Sequence, residues 1–158
     1  MNARRIGVIS DTHGLVRPQA LAALAGSELI IHAGDIGSPQ VLDELRAIAP
    51  VVAIRGNNDS EPWAQHLAET EVVEVNGALI YVLHNVRELT LDPEAAGFSV
   101  VIAGHSHKPS VEQRGAVLFL NPGSAGPRRF TLPISIAHLH MTQRPFRAEI
   151  AELAVSGA

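Results

Sequence analysis

Seven side chains form an ordered series along the 158-residue chain: those of Asp11-x-His13, Gly34-Asp35, Gly56-Asn57, His84 and Gly104-His105-x-His107. Two carboxylates, one amide oxygen and four imidazoles are a mixed oxygen and nitrogen donor set. Such a set suits manganese, nickel, iron, cobalt or zinc better than calcium or magnesium alone. The set is large enough for two divalent ions, with manganese the first expectation. Asp35 is the natural bridge, because one carboxylate can donate to both ions and leave each with room for a shared water or hydroxide. The chain has no cysteine, which excludes disulfides, thiolate ligands and a thiol nucleophile. Taken singly, Asp-x-His and His-x-His are common coincidences. Their weight comes from where they fall.

Each donor follows a short apolar run. Ile6 to Ile9, Leu29 to Ile31 and Val51 to Ile54 are continuous, as in strands covered on both faces of a largely parallel sheet. Between them, Pro18 can open a helix carrying Leu21, Leu24 and Ala25, and Ser38-Pro39 reads as an N-cap with proline at the first helical position. Val41, Leu42, Leu45, Ile48 and Ala49 then keep helical spacing, so the first third reads β-α-β-α-β. Asn76-Gly77 between Val72 to Val75 and Ala78 to Leu83 is a hairpin signal. Further strands are expected at 100–103, 111–113, 117–120, 134–141 and 146–153. Two sheets packed face to face with helices outside would bury them all, giving an α/β fold: a four-layer α/β/β/α sandwich of two mixed sheets flanked by helices. In open α/β sheets ligands gather beyond the carboxyl ends of strands, so the five donor loops are expected to converge there. His32, His66, His138 and His140 have no place beside these loops and are set aside as ligands. Asn121-Pro122-Gly123-Ser124 reads as a turn, and Arg128-Arg129 as solvated charges.

The combined order of Asp11-x-His13, Gly34-Asp35, Gly56-Asn57, His84 and Gly104-His105-x-His107 resembles the calcineurin-like metallophosphoesterases. With Lys108-Pro109 after the last histidine and Asn121-Pro-Gly-Ser beyond it, the chain looks most like their small bacterial and archaeal phosphodiesterase branch. That branch is similar in fold to a eukaryotic retromer subunit. The resemblance runs from Ile6 to about Met141. It implies one metal on Asp11, His13, Asp35 and His107 and a second on Asp35, Asn57, His84 and His105. It also implies in-line attack by a metal-bridging hydroxide on a small phosphate-ester substrate, a diester by first expectation. The candidate catalytic group is Asn57, Asn58, Asp59 and His84. Asn58 stands where many relatives carry a histidine thought to help the leaving group depart, which implies a preference for diesters or activated aryl esters. Asn85 stands where glycine commonly follows the metal-binding histidine. A phosphomonoesterase, and a non-catalytic protein-interaction module of the same fold, are the alternatives. The dense His-x-His-x-Asp-His run of metallo-β-lactamase-like hydrolases is missing.

Composition narrows the remaining classes. The length suits one domain, 1–158, and 46% hydrophobic residues with 18% charged ones can build a core without a disordered tract. A net charge of -4 argues against broad nucleic-acid binding. The first apolar run, Ile6 to Ile9, is too short for a signal-peptide core or a bilayer span, so no membrane association and a cytoplasmic address are expected. A homo-oligomer is compatible with all of this.

Overall fold

In a computed structural model of the chain, the structure describes residues 2–155; the expected span of 1–158 includes Met1 and residues 156–158, which lie outside the described residues. The first sheet takes its core from three short parallel strands, β1 (Ile6–Ile9), β2 (Leu29–His32) and β3 (Val51–Ala53). Helices α1 (Pro18–Leu24) and α2 (Pro39–Arg46) connect them. Proline opens both helices, where its missing N–H costs nothing. Ser38 holds the N-cap position of α2 as expected, but its hydroxyl makes no capping bond. β4 (Thr70–Val75) and β5 (Ala78–Leu83) form the hairpin across Asn76-Gly77. β6 (Phe98–Ile102), β7 (Ser110–Arg114) and β8 (Val117–Asn121) follow, and β9 (Ser135–His140) and β10 (Arg147–Glu152) close the chain.

The sheets are two and mixed, as the apolar runs imply. Their strand orders are β10-β9-β1-β2-β3 and β4-β5-β6-β8-β7. In the second, β5, β6 and β8 run parallel and the outer strands antiparallel. Alternation assigns the faces. Ile6, Val8, Leu29 and Ile31 point to one side of the first sheet and meet Ile80, Val82, Val100, Ile102, Leu118 and Leu120 of the second. Ile9, Ile30 and Ile136 point to the other side and pack beneath Ala20, Leu24, Val41, Leu42 and Leu45 of the helices. At roughly 1.5–3 kcal/mol for each fully buried aliphatic side chain, the face between the sheets is the main source of stability. Both α-helices therefore lie on the first sheet. Over the outer face of the second, the fourth layer is reduced to the 3-10 turn Val86–Glu88 and its continuation to Leu89, which packs near Leu83, Val101 and Val117. The physical reason is loop length: the connections within this sheet hold 2, 14, 7 and 2 residues, and only the 14-residue one, which carries the 3-10 turn, reaches the dozen or so residues a crossover helix needs. No helix among the described residues is long and apolar enough to cross a membrane.

Candidate metal centre

The carboxyl ends of β1, β2, β3, β5 and β6 meet along one rim shared by the two sheets. Main-chain bonds stitch them together: Asp11 N–H donates to Gly34 O (3.0 Å), His13 N–H to Asp35 O (3.0 Å) and Gly104 N–H to His84 O (2.9 Å). Gly56 and Gly104 are required by close approach. A Cβ on Gly56 would collide with the Asp35 carboxylate, and one on Gly104 with Ser10 and Asp11. The backbone is strained where the donors sit. Seven described non-glycine residues have positive φ, and five of them are Asp11 (55°), His13 (47°), Asp35 (56°), His105 (70°) and His107 (62°). Each such residue costs on the order of 1–3 kcal/mol and persists only where its surroundings enforce it, which is typical of functional sites.

The donor atoms converge on one another. Asp11 Oδ1 lies 3.4 Å from His107 Nε2, 3.7 Å from His84 Nε2 and 3.9 Å from His13 Nε2. Asp35 Oδ2 lies 3.2 Å from His84 Nε2 and 3.8 Å from His13 Nε2, so it touches one member of each expected ligand set. Ligand atoms of Asp11, His13 and His107, and of Asp11, Asp35 and His84, fall within 4.8 Å of one another in each group. Asp11 Oδ1, His13 Nε2 and His84 Nε2 are buried without a hydrogen-bond partner, as is the second ring nitrogen of His107, Nδ1. Leaving such atoms unsatisfied costs about 1–3 kcal/mol each, so their facing one another fits a site for cations. The donor chemistry agrees with this. His84 Nδ1 donates to Ala33 O at 2.7 Å, which leaves Nε2 as the ligating nitrogen.

Asn57 and His105 stand apart from this buried group. Both are exposed; Asn57 lines the adjoining cleft, and the His105 ring packs edge-on against that of His84 with centroids 5.2 Å apart. His105 also donates its N–H to Asp11 Oδ2 (3.0 Å), which takes a second bond from Ser10 Oγ (2.8 Å). Asn58 binds Asp35 twice, through its N–H (2.9 Å) and its Nδ2 (3.3 Å). Asp59 lies in the same loop, but its carboxylate accepts the N–H groups of Ile36, Gly37 and Gly56 at 2.9–3.1 Å. That makes it a positioning residue that ties the β2 end to the β3 end. Asn85 Oδ1 accepts the Arg87 N–H and caps the 3-10 turn, a use for the side chain in place of the usual glycine.

The electrostatics follow from packing. Burial alone would raise the Asp35 carboxyl, but contact with His84, the Asn58 N–H and the charges of His84 and His13 outweigh it and hold the group down at about 2. Burial would also raise Asp11, yet His107, His84 and Ser10 bring it below the usual carboxylate range. Burial pulls His84 down, whereas Asp35, the Ala33 carbonyl and Asp11 raise it above its ordinary value. A neutral Nε2 lone pair facing a carboxylate needs a cation between them, either a proton or a metal.

The histidines set aside from the sequence lie outside the donor group. His66 is exposed, His138 contacts the Arg5 guanidinium, and His140 pairs with Glu149 at 2.9 Å. His32 has a role that sequence reading missed. Wholly buried, its Nδ1 accepts the Gly34 N–H (3.1 Å) and its Nε2 faces Thr12 Oγ1 (3.0 Å), linking the two carboxylate loops. Burial drives it down to about 4, so it is a neutral brace. The turn expected at Asn121–Ser124 forms and braces the site: Asn121 Nδ2 donates to Gly104 O (3.0 Å), and Ser124 Oγ to Asp11 O (3.0 Å).

Beside the centre a cleft of about 590 Å³ runs past Asn57 and His84 to Arg55, Glu69, Tyr81, Glu88 and Thr90. Two mixed five-stranded sheets with a donor cluster at their shared rim define a metal-dependent hydrolase architecture, and sequence relatives agree. The description of the calcineurin-like phosphoesterase superfamily domain matches residues 5–144. A probable metallophosphoesterase of Methanothermobacter thermautotrophicus is 34% identical over 157 residues, covering 92% of this chain and 90% of that one. One from Methanocaldococcus jannaschii is 37% identical over 132 residues, 75% of this chain and 67% of its own. A solved structure described as a novel archaeal phosphodiesterase superposes with a TM-score of 0.78 at 26% identity, covering 93% of this chain and 99% of that one. The chain belongs to the calcineurin-like phosphoesterase superfamily and is a hydrolase.

Proposed function

We propose that the chain is a phosphodiesterase that works with two divalent ions, manganese first among them. One is held by Asp11, His13, Asp35 and His107, the other by Asp35, Asn57, His84 and His105. The observation that carries this reading is the set of buried, unpartnered ligand atoms of Asp11, His13 and His84 facing one another at the strand ends. Bound there, the ions would supply Lewis acidity to the phosphoryl oxygens and would make a water easier to deprotonate near neutral pH.

The chain's own residues set the rest. Asp11 and Asp35, both ionised, repel a phosphate until cations neutralise them. Ala33 O fixes the His84 tautomer, and Asn58 orients Asp35 through two hydrogen bonds. Asp59 holds the Asn57 loop in register with Asp35. No imidazole occupies position 58, so no general acid is supplied there for the leaving alcohol, which favours esters whose leaving groups depart unprotonated. The cleft beside His84 accepts one ester group.

Elemental analysis of protein purified without chelator, paired with hydrolysis of bis(4-nitrophenyl) phosphate and 4-nitrophenyl phosphate, tests the reading. About two ions per chain and faster cleavage of the diester are expected. A folded sample supplied with manganese, cobalt, nickel or zinc that cleaves neither ester overturns it.

A further inference from the structure

One motif has no part in the centre: Arg128-Arg129-Phe130. Residues 127–131 are exposed without a break, directly after the buried stretch Pro122–Gly126. That stretch is anchored on the first carboxylate loop. Ala125 N–H donates to Ser10 O (3.1 Å), Ser124 Oγ to Asp11 O (3.0 Å), and the Arg17 guanidinium to Gly126 O (3.3 Å). The far end returns to the same place through the bridge between Ser124 and Ile134. Within the excursion, Leu132 N–H donates to Arg129 O (3.1 Å) and closes a turn around Phe130. Both ends of this arm are thus tied beside Asp11, and Arg128 lies at most about 7 Å of chain from Gly126.

Phe130 breaks two rules at once. Its side chain is 87% exposed, the most of any large hydrophobic residue described, and its φ is 54°. A bulky residue at positive φ is strained, and an exposed ring gains nothing from burial, so local folding does not explain the residue. The Arg128 and Arg129 side chains are equally unemployed, with no hydrogen bond or ion pair among the described residues. Free guanidinium groups recognise phosphate in a planar, bidentate manner, and an exposed aromatic ring stacks on a nucleobase.

We propose that residues 127–131 are a substrate arm that grips a nucleotide: Phe130 stacks on the base, while Arg128 and Arg129 hold a phosphate beyond the one being cleaved. The inference rests on the phosphodiesterase reading above and names its substrate class, a short nucleotidyl phosphodiester. A long polynucleotide does not fit the remaining surface. The chain carries a net charge of -4, and the cleft beside His84 is lined by Glu69 and Glu88, with Arg55 already paired to Glu69 at 3.3 Å.

The test compares thymidine 5′-(4-nitrophenyl) phosphate with methyl 4-nitrophenyl phosphate, which share a leaving group and differ in the base and sugar. The wild-type protein is expected to favour the nucleotidyl ester by about tenfold or more in kcat/KM, the scale of one stacked base. In Phe130→Ala that ratio falls toward one, and Phe130→Trp restores it. Phe130→Gly relieves the positive φ, so a raised Tm together with a lost preference separates recognition from folding. Binding of thymidine 3′,5′-bisphosphate, followed by saturation-transfer NMR, supplies a readout without turnover. Its base signals should weaken in Phe130→Ala and its affinity should fall in Arg128→Ala/Arg129→Ala. If neither ester is cleaved, the phosphodiesterase reading fails while the NMR measurement still decides the arm. An unchanged ratio and unchanged binding in Phe130→Ala overturn the arm. So does a Phe130→Ala variant that only turns a dimer into a monomer.

Discussion

The two halves of the proposed centre are built differently. Asp11 and His107 are almost fully buried, and His13 is three-quarters covered, so one half consists of side chains locked by packing and strained backbone. The other half joins buried Asp35 and His84 to exposed Asn57 and His105. Its buried members are fixed by Ala33 O and Asn58, whereas no hydrogen bond holds the Asn57 side chain among the described residues. The contrast teaches that rigidity and access are divided between the halves. The enclosed one is preorganised for an ion, and the open one faces the cleft where an ester group must enter. On the two-ion proposal, an ion in the open half would complete its coordination with exposed side chains, and the cost of ordering them predicts weaker binding there.

The harshest way to break the comparison is to remove the residue common to both halves. Asp35→Ala takes away the oxygen that lies 3.2 Å from His84 and 3.8 Å from His13. It is expected to empty both positions and lower kcat/KM by at least about 10³-fold, the scale of losing metal-supplied charge stabilisation. Elemental analysis and steady-state kinetics check this, and a variant retaining two ions would show that Asp35 is not shared. A sharper cut separates the halves. His105→Ala should keep about one ion per chain and lose affinity for the other by at least about 10-fold, whereas His13→Ala should lose the tighter ion. Equal occupancy in the two variants would mean the halves are energetically alike. A smaller effect comes from Asp59→Asn. The amide presents an N–H₂ to main-chain donors at one end, so about 1–3 kcal/mol of stability should go and metal affinity should fall about 10-fold. Thermal melts and metal titration read both, and an unchanged melt would refute the bracing role.

Much of this was legible in the sequence because strands covered on both faces leave continuous apolar runs, and the residue after such a run marks a loop at the sheet's edge. Ile6 to Ile9 followed by Asp11, or Val100 to Ala103 followed by His105, is readable without any structure. What stayed hidden depends on distant partners. His32 looks like a strand histidine until Thr12 and Gly34 are seen to close around it, and nothing local to Asp59 shows that Ile36 and Gly37 of the β2 loop, with Gly56 of its own loop, donate to its carboxylate. Neither bond set has a local signature, since each spans about 20 residues or more of chain or depends on a turn. The thin cover on the outer face of the second sheet was likewise invisible, because Val101, Val117 and Leu83 are apolar whether a helix or a 3-10 turn covers them. The positive φ values of five candidate ligands could not be read from residue type, as aspartate and histidine tolerate that region without announcing it.

The finest distinction between the halves is protonic. His84 belongs to the open half, and its folded-state pKa is raised by Asp35, Ala33 O and Asp11 against the pull of burial. A raised value means that the metal-free fold gains stability from the imidazolium below the ordinary value of 6.5 and loses it as pH rises through the folded value. Asp35 works in the opposite sense. Held down at about 2, it stabilises the fold above 3.8, and that contribution is lost only as pH falls toward 2. Between pH 6.5 and the folded value of His84, metal must therefore displace a proton, so uptake there releases one from this residue. Calorimetry in two buffers of different ionisation enthalpy should show that release for the ion of the open half, and His84→Gln should abolish it. The metal-free melt should drop as pH rises through the same interval, while the metal-loaded melt holds steady, since a bound cation would take over the charge the proton supplied. A metal-free melt that rises with pH over that interval would mean His84 is neutral in the empty site and that another group holds the two carboxylates together.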